Sequence, residues 1–391
     1  MCMHQVYLVP GFFGFDRLGG LSYFRGVEQV LGDALAARGL DAQIIQLDTG
    51  PTSSIRRRSL GVMQAVVDND GLSAESLHFV GHSTGGLDVR LLLSPGVQLD
   101  PSDLEDRIGV LTRSVSTLST PHFGTPMANF FTSMNGRNLL YLLTTMVTSD
   151  PGRTGAWLGA RALTRLARLD DLLGQRNTVL DTFAAGLLSR IRPDRGNELW
   201  DYLREMSVDQ GAMVQLTPEA IDLFNASVLD RDDVDYVSFV TTAPPPGIPH
   251  LPGISDESVY ESVTHGLFHL CYWITSREPR HYPYPSPESE FADAIQAQLP
   301  FDIGPQSNDG VVPTFSQAWG RLGGVFLGDH LDGVGQFTFT DADGLHEGWL
   351  NSRSGFDQAT FEKLWNAIAD VIANAAEQPS QRASASTGVG S

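Results

Sequence analysis

Residues 77 to 88 read Leu-His-Phe-Val-Gly-His-Ser-Thr-Gly-Gly-Leu-Asp, and the fold turns on how this stretch is read. The apolar run from Leu77 to Val80 has the length of a short buried strand. Gly81-His82-Ser83-Thr84-Gly85 ends it, and Leu87, Val89 and Leu91 to Leu93 then begin a helix-like stretch. A strand, a sharp turn and a helix form the context in which a G-x-S-x-G pattern carries chemistry. So tight a turn strains the backbone of its central residue, while Gly81, Gly85 and Gly86 relieve crowding where strand and helix pass closely. Ser83 is thereby lifted to the carboxyl edge of a sheet, beside the positive end of a helix. Glycine-rich loops of this pattern are common, so the motif makes Ser83 a candidate nucleophile and the rest of the chain has to decide.

Outward from this turn, strands and helices alternate. Val6 to Val9 form a strand that runs into Pro10-Gly11-Phe12-Phe13-Gly14-Phe15-Asp16. Residues 24 to 38 have helical spacing, with Val27, Val30, Leu31 and Leu35 on one face and Gly39 as a stop. Ala42 to Leu47 read as a strand, 54 to 67 as an Arg-rich helix, and Ser114 to Ser119 as another strand. This alternation predicts a parallel sheet covered on both faces, an α/β architecture.

From about 126 to 230 no strand is visible and the apolar residues fall at helical spacing. A stretch this long is not a loop. It predicts a helical cap, 126–230, inserted into a core formed by 1–125 and 231–377. Its first part, Asn129-Phe130-Phe131 through Leu139-Leu140-Tyr141-Leu142-Leu143, is rich in apolar residues. That suits a lid over a site, and equally a helix buried against the sheet. Asp235 to Thr242 return as a strand and Gly324 to Gly328 as a last one, before an amphipathic closing helix over 356–376. The Ser-, Ala- and Gly-rich tail, 378–391, is expected to be disordered.

With 391 residues, the chain can bury one large core or a core with a cap. Its formal charge of −20 argues against nucleic acid and anionic membrane surfaces as partners, while leaving neutral lipids and esters open. No apolar run is long enough to cross a bilayer. Two cysteines, Cys2 and Cys271, rule out a disulfide framework. Met1-Cys2-Met3-His4-Gln5 carries no secretory leader, so the expectation is a cytoplasmic location or export by a leaderless route.

A serine hydroxyl needs a histidine base, and the base needs an acid to orient it. Among ten histidines, His330 follows the last apolar strand in a glycine-flanked loop, where a sheet edge would present it to Ser83. His346 is the runner-up, and His82, inside the turn, is expected to point away from its neighbour. Asp309, between Asn308 and Gly310 in the loop ahead of that strand, is the candidate acid, with Asp302 as the alternative. Two backbone N–H groups must stabilise the oxyanion, and Phe12 and Thr84 stand where they are needed. His265 and His269 lie one helical turn apart, but no acidic partner completes a metal motif, which favours a structural role. Phe12, Phe13, Phe123, Phe130 and Phe131 are candidates for an apolar mouth, or for the core.

The chain resembles the bacterial triacylglycerol lipases of the Pseudomonas and Burkholderia type, within the α/β-hydrolase fold. Tyr7 to Asp16 is similar to their V-L-V-H-G-L-x-G-F-D, and Val80 to Gly86 with Arg90 to their V-G-H-S-x-G-G and later Arg. Thr120-Pro121-His122-Phe123-Gly124-Thr125 is similar to their T-P-H-x-G-S, and Asn308 to Val312 and His330 to Asp332 to the patches around their acid and base. The order agrees across most of the chain, whereas the cap and 244–300 match poorly. Pro10 stands where the family has His.

The resemblance implies Ser83 as nucleophile, Asp309 as acid, His330 as base, and Phe12 and Thr84 as oxyanion donors. It also implies a structural calcium near the base, held by Asp332 and Gln336, and no cofactor in the reaction itself. The substrate it implies is an ester or lipid, met at a lipid–water interface. A short-chain or polyester esterase, an acyltransferase and a non-catalytic binding protein are the rival readings.

Overall fold

The computed structural model describes residues 3–12, 14, 17–18, 21–132, 209, 211–247, 256–277, 289–341, 344–346 and 348–377. In chain order the elements are β1 (His4–Val9), β2 (Arg17–Leu18), β3 (Leu21–Ser22), α1 (Val27–Ala37), β4 (Ala42–Gln46), α2 (Ile55–Asp68), β5 (Leu77–His82), α3 (Thr84–Leu93), α4 (Leu104–Leu111) and β6 (Thr112–Leu118). They continue as α5 (Pro126–Thr132), α6 (Gly211–Gln215), α7 (Pro218–Ser227), β7 (Asp235–Thr242), α8 (Asp256–Thr275), α9 (Ser289–Gln296), β8 (Arg321–Leu327), β9 (Phe339–Asp341), β10 (Gly344–His346) and α10 (Gln358–Ala376).

Six strands form one sheet in the order β4-β1-β5-β6-β7-β8, and every neighbouring pair runs parallel. Successive side chains of a strand point to opposite faces, and the core divides accordingly. Val6, Leu8 and Val80 pack with Leu364, Trp365 and Ile368 of α10. Tyr7, Val9 and Phe79 pack instead with Val62 and Val66 of α2 and Leu92 of α3. Both faces are thus covered, which is why β5 is buried at all six positions and reads as a continuous run rather than an alternation. The order also sets the site. β5 lies inside the sheet, so the turn after it opens at the carboxyl edge between the loops that follow β1 and β6.

Several boundaries differ from the sequence reading, and β1 already begins at His4. β6 starts at Thr112, directly after α4, a short helix that the periodicity did not separate from its surroundings. β8 begins at Arg321 because Gly323 and Gly324 belong to the strand. A Cβ at Gly323 would lie 2.6 Å from the Phe239 ring, so the neighbouring aromatic on β7 demands glycine where sequence rules see a break. The two-stranded hairpins β2–β3 and β9–β10 were not read at all.

Within 126–230, α5, α6 and α7 are described and are helical. Ala128, Leu216 and Ile221 of this region are buried with Ile55 and Leu87 from the core, so both ends of the insertion rest on α2 and α3. Residues 133–208 and 210, and with them the reading of a lid, lie outside the described residues, as does the tail 378–391. No described helix is long and apolar enough to cross a membrane.

Candidate active site

Ser83 is the only residue between β5 and α3, and it makes the whole turn with φ 53° and ψ −128°. Such a backbone is costly for a residue with a side chain and persists only where its surroundings enforce it. The enforcement is visible. A Cβ on Gly85 would sit 2.3 Å from the Val9 carbonyl oxygen, and one on Gly81 would sit 2.5 Å from the Gly86 nitrogen. Neither backbone atom can step aside, so strand and helix cross at a distance only glycine permits.

Three of the residues singled out from the sequence meet here. His330, in the loop after β8, has Nε2 3.0 Å from Ser83 Oγ and Nδ1 2.8 Å from Asp309 Oδ2. The carboxylate accepts the Nδ1 proton, which leaves Nε2 with a lone pair facing the serine hydroxyl. His330 N–H also donates to the Asp309 carbonyl, so acid and base are joined through both side chain and backbone.

Asp309 is fully buried and surrounded by donors. Its Oδ1 accepts from the Val311 and Val312 N–H groups at 2.9 and 2.7 Å. Its Oδ2 accepts from Thr241 Oγ1 at 2.9 Å and Gln317 Nε2 at 3.2 Å, beside the imidazole. Ser119 and Thr241 hydroxyls lie 2.6 Å apart, which extends the network to β6 and its following loop. Neither Thr241 nor Gln317 was singled out from the sequence, because nothing local marks a strand threonine as the partner of an acid 68 residues away. Thr241→Val keeps the shape and removes one charge-assisted hydrogen bond, an interaction of about 1.5–3 kcal/mol. The expected result in steady-state kinetics is a fall in kcat of at least about tenfold with little change in KM.

The two expected oxyanion donors come from different segments. Thr84 opens α3, and the first N–H groups of a helix have no partner within it. Phe12 follows β1, in a loop fixed by Arg58, whose Nη2 donates to the Pro10 carbonyl at 2.6 Å. Arg58 also donates to the Gly50 carbonyl at 2.7 Å and pairs with Asp88 at 2.8 Å, with both side chains buried. The sequence showed an Arg-rich helix start, but not which of its arginines turns inward.

The other candidates fall elsewhere. Asp302 is exposed, and His346 contacts Arg25. His265 Nδ1 bonds the Asn351 carbonyl at 2.9 Å. His122 is buried with its ring stacked on Trp319, and the charge of Arg90 adds to burial in holding its pKa well below the ordinary value. His82, expected only to turn aside, is hydrogen-bonded at both nitrogens.

Asp332 and Gln336 sit in the loop after His330, Asp332 bonded within the loop and Gln336 to the end of β3 and the residue after it. Asp332 Oδ2 accepts the Asp329 N–H at 2.7 Å, and Gln336 Nε2 donates to the Ser22 and Tyr23 carbonyls at 2.7 and 3.1 Å. Among the described residues no group of three or more His, Cys, Asp or Glu side chains is arranged to hold a metal. A calcium shell of six to eight oxygens does not fit this set.

Above Ser83 opens a cleft with apolar walls, to which Phe12, Phe131, Met213, Leu267 and Trp349 contribute. The rings of Phe12 and Phe131 stack with centroids 6.3 Å apart. Phe123 lies instead against Trp319, and Phe130 packs edge-on to Phe131, so neither belongs to the wall. Phe13 lies outside the described residues.

Comparison with known proteins adds the context. No family model matches the chain. Over 129 residues it is 30% identical to a triacylglycerol lipase of Vibrio cholerae serotype O1, a match covering 32% of this chain and 35% of that protein. The matched part thus spans about a third of the curated relative's length. Among solved structures, EstA from Clostridium botulinum aligns over 95% of this chain and 87% of its own, with 20% identity and a TM-score of 0.54. Lipase 1 from Pelosinus fermentans aligns over 95% and 99%, with 18% identity and a TM-score of 0.51. The fold is that of an α/β-hydrolase. The Ser83 turn and the loops of Asp309 and His330 occupy the carboxyl edge of the sheet, the place where open α/β sheets bind their ligands.

Proposed function

We propose that this chain is a serine hydrolase of carboxylic esters, acting on lipids of the acylglycerol kind. The observation that carries the reading is His330 hydrogen-bonded on one side to Asp309 and on the other to Ser83, at the base of an apolar cleft. His330 Nε2 takes the Ser83 proton as Oγ attacks the ester carbonyl, and the imidazolium is stabilised by Asp309. The Phe12 and Thr84 N–H groups receive the developing oxyanion. His330 then gives its proton to the leaving alcohol, and a water activated by the same imidazole releases the acid from the acyl-enzyme. The apolar wall suits an acyl chain, and the cleft has few groups with which a charged substrate could pair. The likeness to a triacylglycerol lipase and to a lipase structure supports a water-insoluble ester, presented at an interface.

The test is labelling with a fluorophosphonate together with a chain-length series of nitrophenyl esters, with and without an emulsion. Labelling of the wild type that Ser83→Ala abolishes, with activity rising toward longer acyl chains and in emulsion, is the expected outcome. No labelling leaves a binding protein on a hydrolase fold. A preference for acetate without gain in emulsion leaves a short-chain esterase, which the likeness to EstA also permits. Transfer of the acyl group to an added alcohol in preference to water marks an acyltransferase.

A further inference from the structure

The reading above assigns no task to the histidine inside the nucleophile turn, although its ring is committed on both sides. His82 Nε2 lies 2.8 Å from the His330 carbonyl oxygen, and its Nδ1 lies 2.6 Å from the Tyr23 hydroxyl. The Tyr23 oxygen in turn accepts the Gly11 N–H at 2.9 Å. Every group in this series is buried.

The direction of each bond follows from chemistry alone. A carbonyl oxygen only accepts, so His82 Nε2 carries a proton. Burial and the facing His330 ring hold the pKa of His82 well below its ordinary value, so the ring is neutral and Nδ1 has a lone pair. The Tyr23 O–H therefore donates to Nδ1, which leaves the phenol oxygen to accept from Gly11. The result is one unbroken series, from Gly11 N–H through Tyr23 and His82 to the His330 carbonyl. A neutral ring with its proton on Nε2 satisfies the middle link at both ends.

The two ends of the series are the parts of the site that must be in register. Gly11 precedes Phe12, one of the two oxyanion donors, and His330 is the base. They arise from opposite regions of the chain, after β1 and after β8, and no backbone ladder connects them, since β1 and β8 are not neighbours in the sheet. Space at the near end is already minimal. A Cβ on Gly11 would lie 2.6 Å from Ser83 Cβ and 2.7 Å from the Tyr23 hydroxyl. Tyr23 is itself held from behind, because Gln336 Nε2 donates to its backbone carbonyl.

We propose that Tyr23 and His82 are positioning residues, a relay that locks the oxyanion-hole loop to the backbone of the catalytic base. This rests on the ester-hydrolase reading. Neither residue exchanges a proton with substrate. His82 keeps its proton on the His330 carbonyl, and it holds the base where Nε2 stands 3.0 Å from the serine. Because oxyanion donors and base act on the transition state, loosening the relay slows turnover and leaves substrate binding alone.

The experiment compares the full-length chain with Tyr23→Phe, His82→Gln and the double variant, measuring kcat, KM and Tm with one nitrophenyl ester. Tyr23→Phe removes one oxygen from an otherwise unchanged ring, so it keeps the test alive if His82→Gln does not fold. The expected result is a fall in kcat of about tenfold to a hundredfold in each single variant, with KM within about twofold. Because both residues serve one series, the double variant is expected to fall no further than the worse single one. A Tyr23→Phe variant with wild-type kcat, losses confined to KM, or single effects that multiply in the double variant would each overturn the relay. A wild-type chain that neither hydrolyses esters nor takes a fluorophosphonate label overturns the underlying reading instead.

Discussion

Asp309→Asn is expected to lower the rate of ester hydrolysis by about four orders of magnitude, the scale on which losing the correct histidine tautomer acts in a triad. The reason lies in the number of donors around this carboxylate. Oδ2 faces His330, Thr241 and Gln317, and Oδ1 faces two backbone N–H groups. An amide has one acceptor oxygen and one NH2 group. If the NH2 faces His330, the ring must present a lone pair at Nδ1 and its proton moves to Nε2, so it no longer accepts from Ser83. If the NH2 faces Val311 and Val312 instead, donors oppose donors at the turn that holds the residue in place. Stability should fall as well, by about 1–3 kcal/mol for the donors left without an acceptor. Comparing kcat with Tm for the purified variant separates the two effects. A loss of less than about tenfold in kcat in a folded variant would show that Asp309 does not set the tautomer of the base.

The second large effect is expected at Arg58, and it is one of stability. Arg58 and Asp88 are both inaccessible to solvent, with Nε 2.8 Å from Oδ2. Asp88 Oδ1 has no hydrogen-bond partner, and burial raises the Asp88 pKa to about 7 against the opposing pull of Arg58. Arg58→Leu removes that pull, leaves a carboxyl group buried alone and strips the Pro10 and Gly50 carbonyls of their donor. Breaking a buried pair from one side costs about 3–5 kcal/mol, which urea unfolding monitored by circular dichroism would register directly. Arg58→Leu combined with Asp88→Leu should recover much of this loss, because no isolated charge remains. Activity should not recover with it, since the Pro10 carbonyl stays unheld and Phe12 is two residues further along the same loop. Restored activity in the double variant would separate Arg58 from the oxyanion loop.

What could be read in advance followed a physical logic. The alternation of apolar runs with helical spacing, and the Gly-His-Ser-Thr-Gly-Gly turn, pointed to a parallel sheet with a serine at its edge. Both are local properties, fixed by chain stiffness and by contacts between residues close in sequence. Gly81 and Gly85 are legible for the same reason, since each avoids a neighbour within the same strand–turn–helix or the adjacent strand. The partners of Asp309 were not legible. Thr241 is one of two threonines at the end of β7, and only the packing of the Asp309 loop against that end brings it to the acid. The oxygens that the resemblance offered to a calcium are a second case. Asp332 and Gln336 have suitable oxygens, yet loop packing engages them with the Asp329 N–H and with the carbonyls of Ser22 and Tyr23.

By itself the sequence determined the architecture and the identity of the serine, because strand, turn and helix are encoded by spacing and by glycine within a dozen residues. His330 and Asp309 were legible as its candidate partners, but only the tertiary structure decided which hydroxyl and amide hold the acid, and that His82 and Tyr23 bridge the two halves of the site. Each of these is a contact between side chains brought together by strand order across hundreds of residues, and no local pattern in a chain records which distant group will stand opposite it.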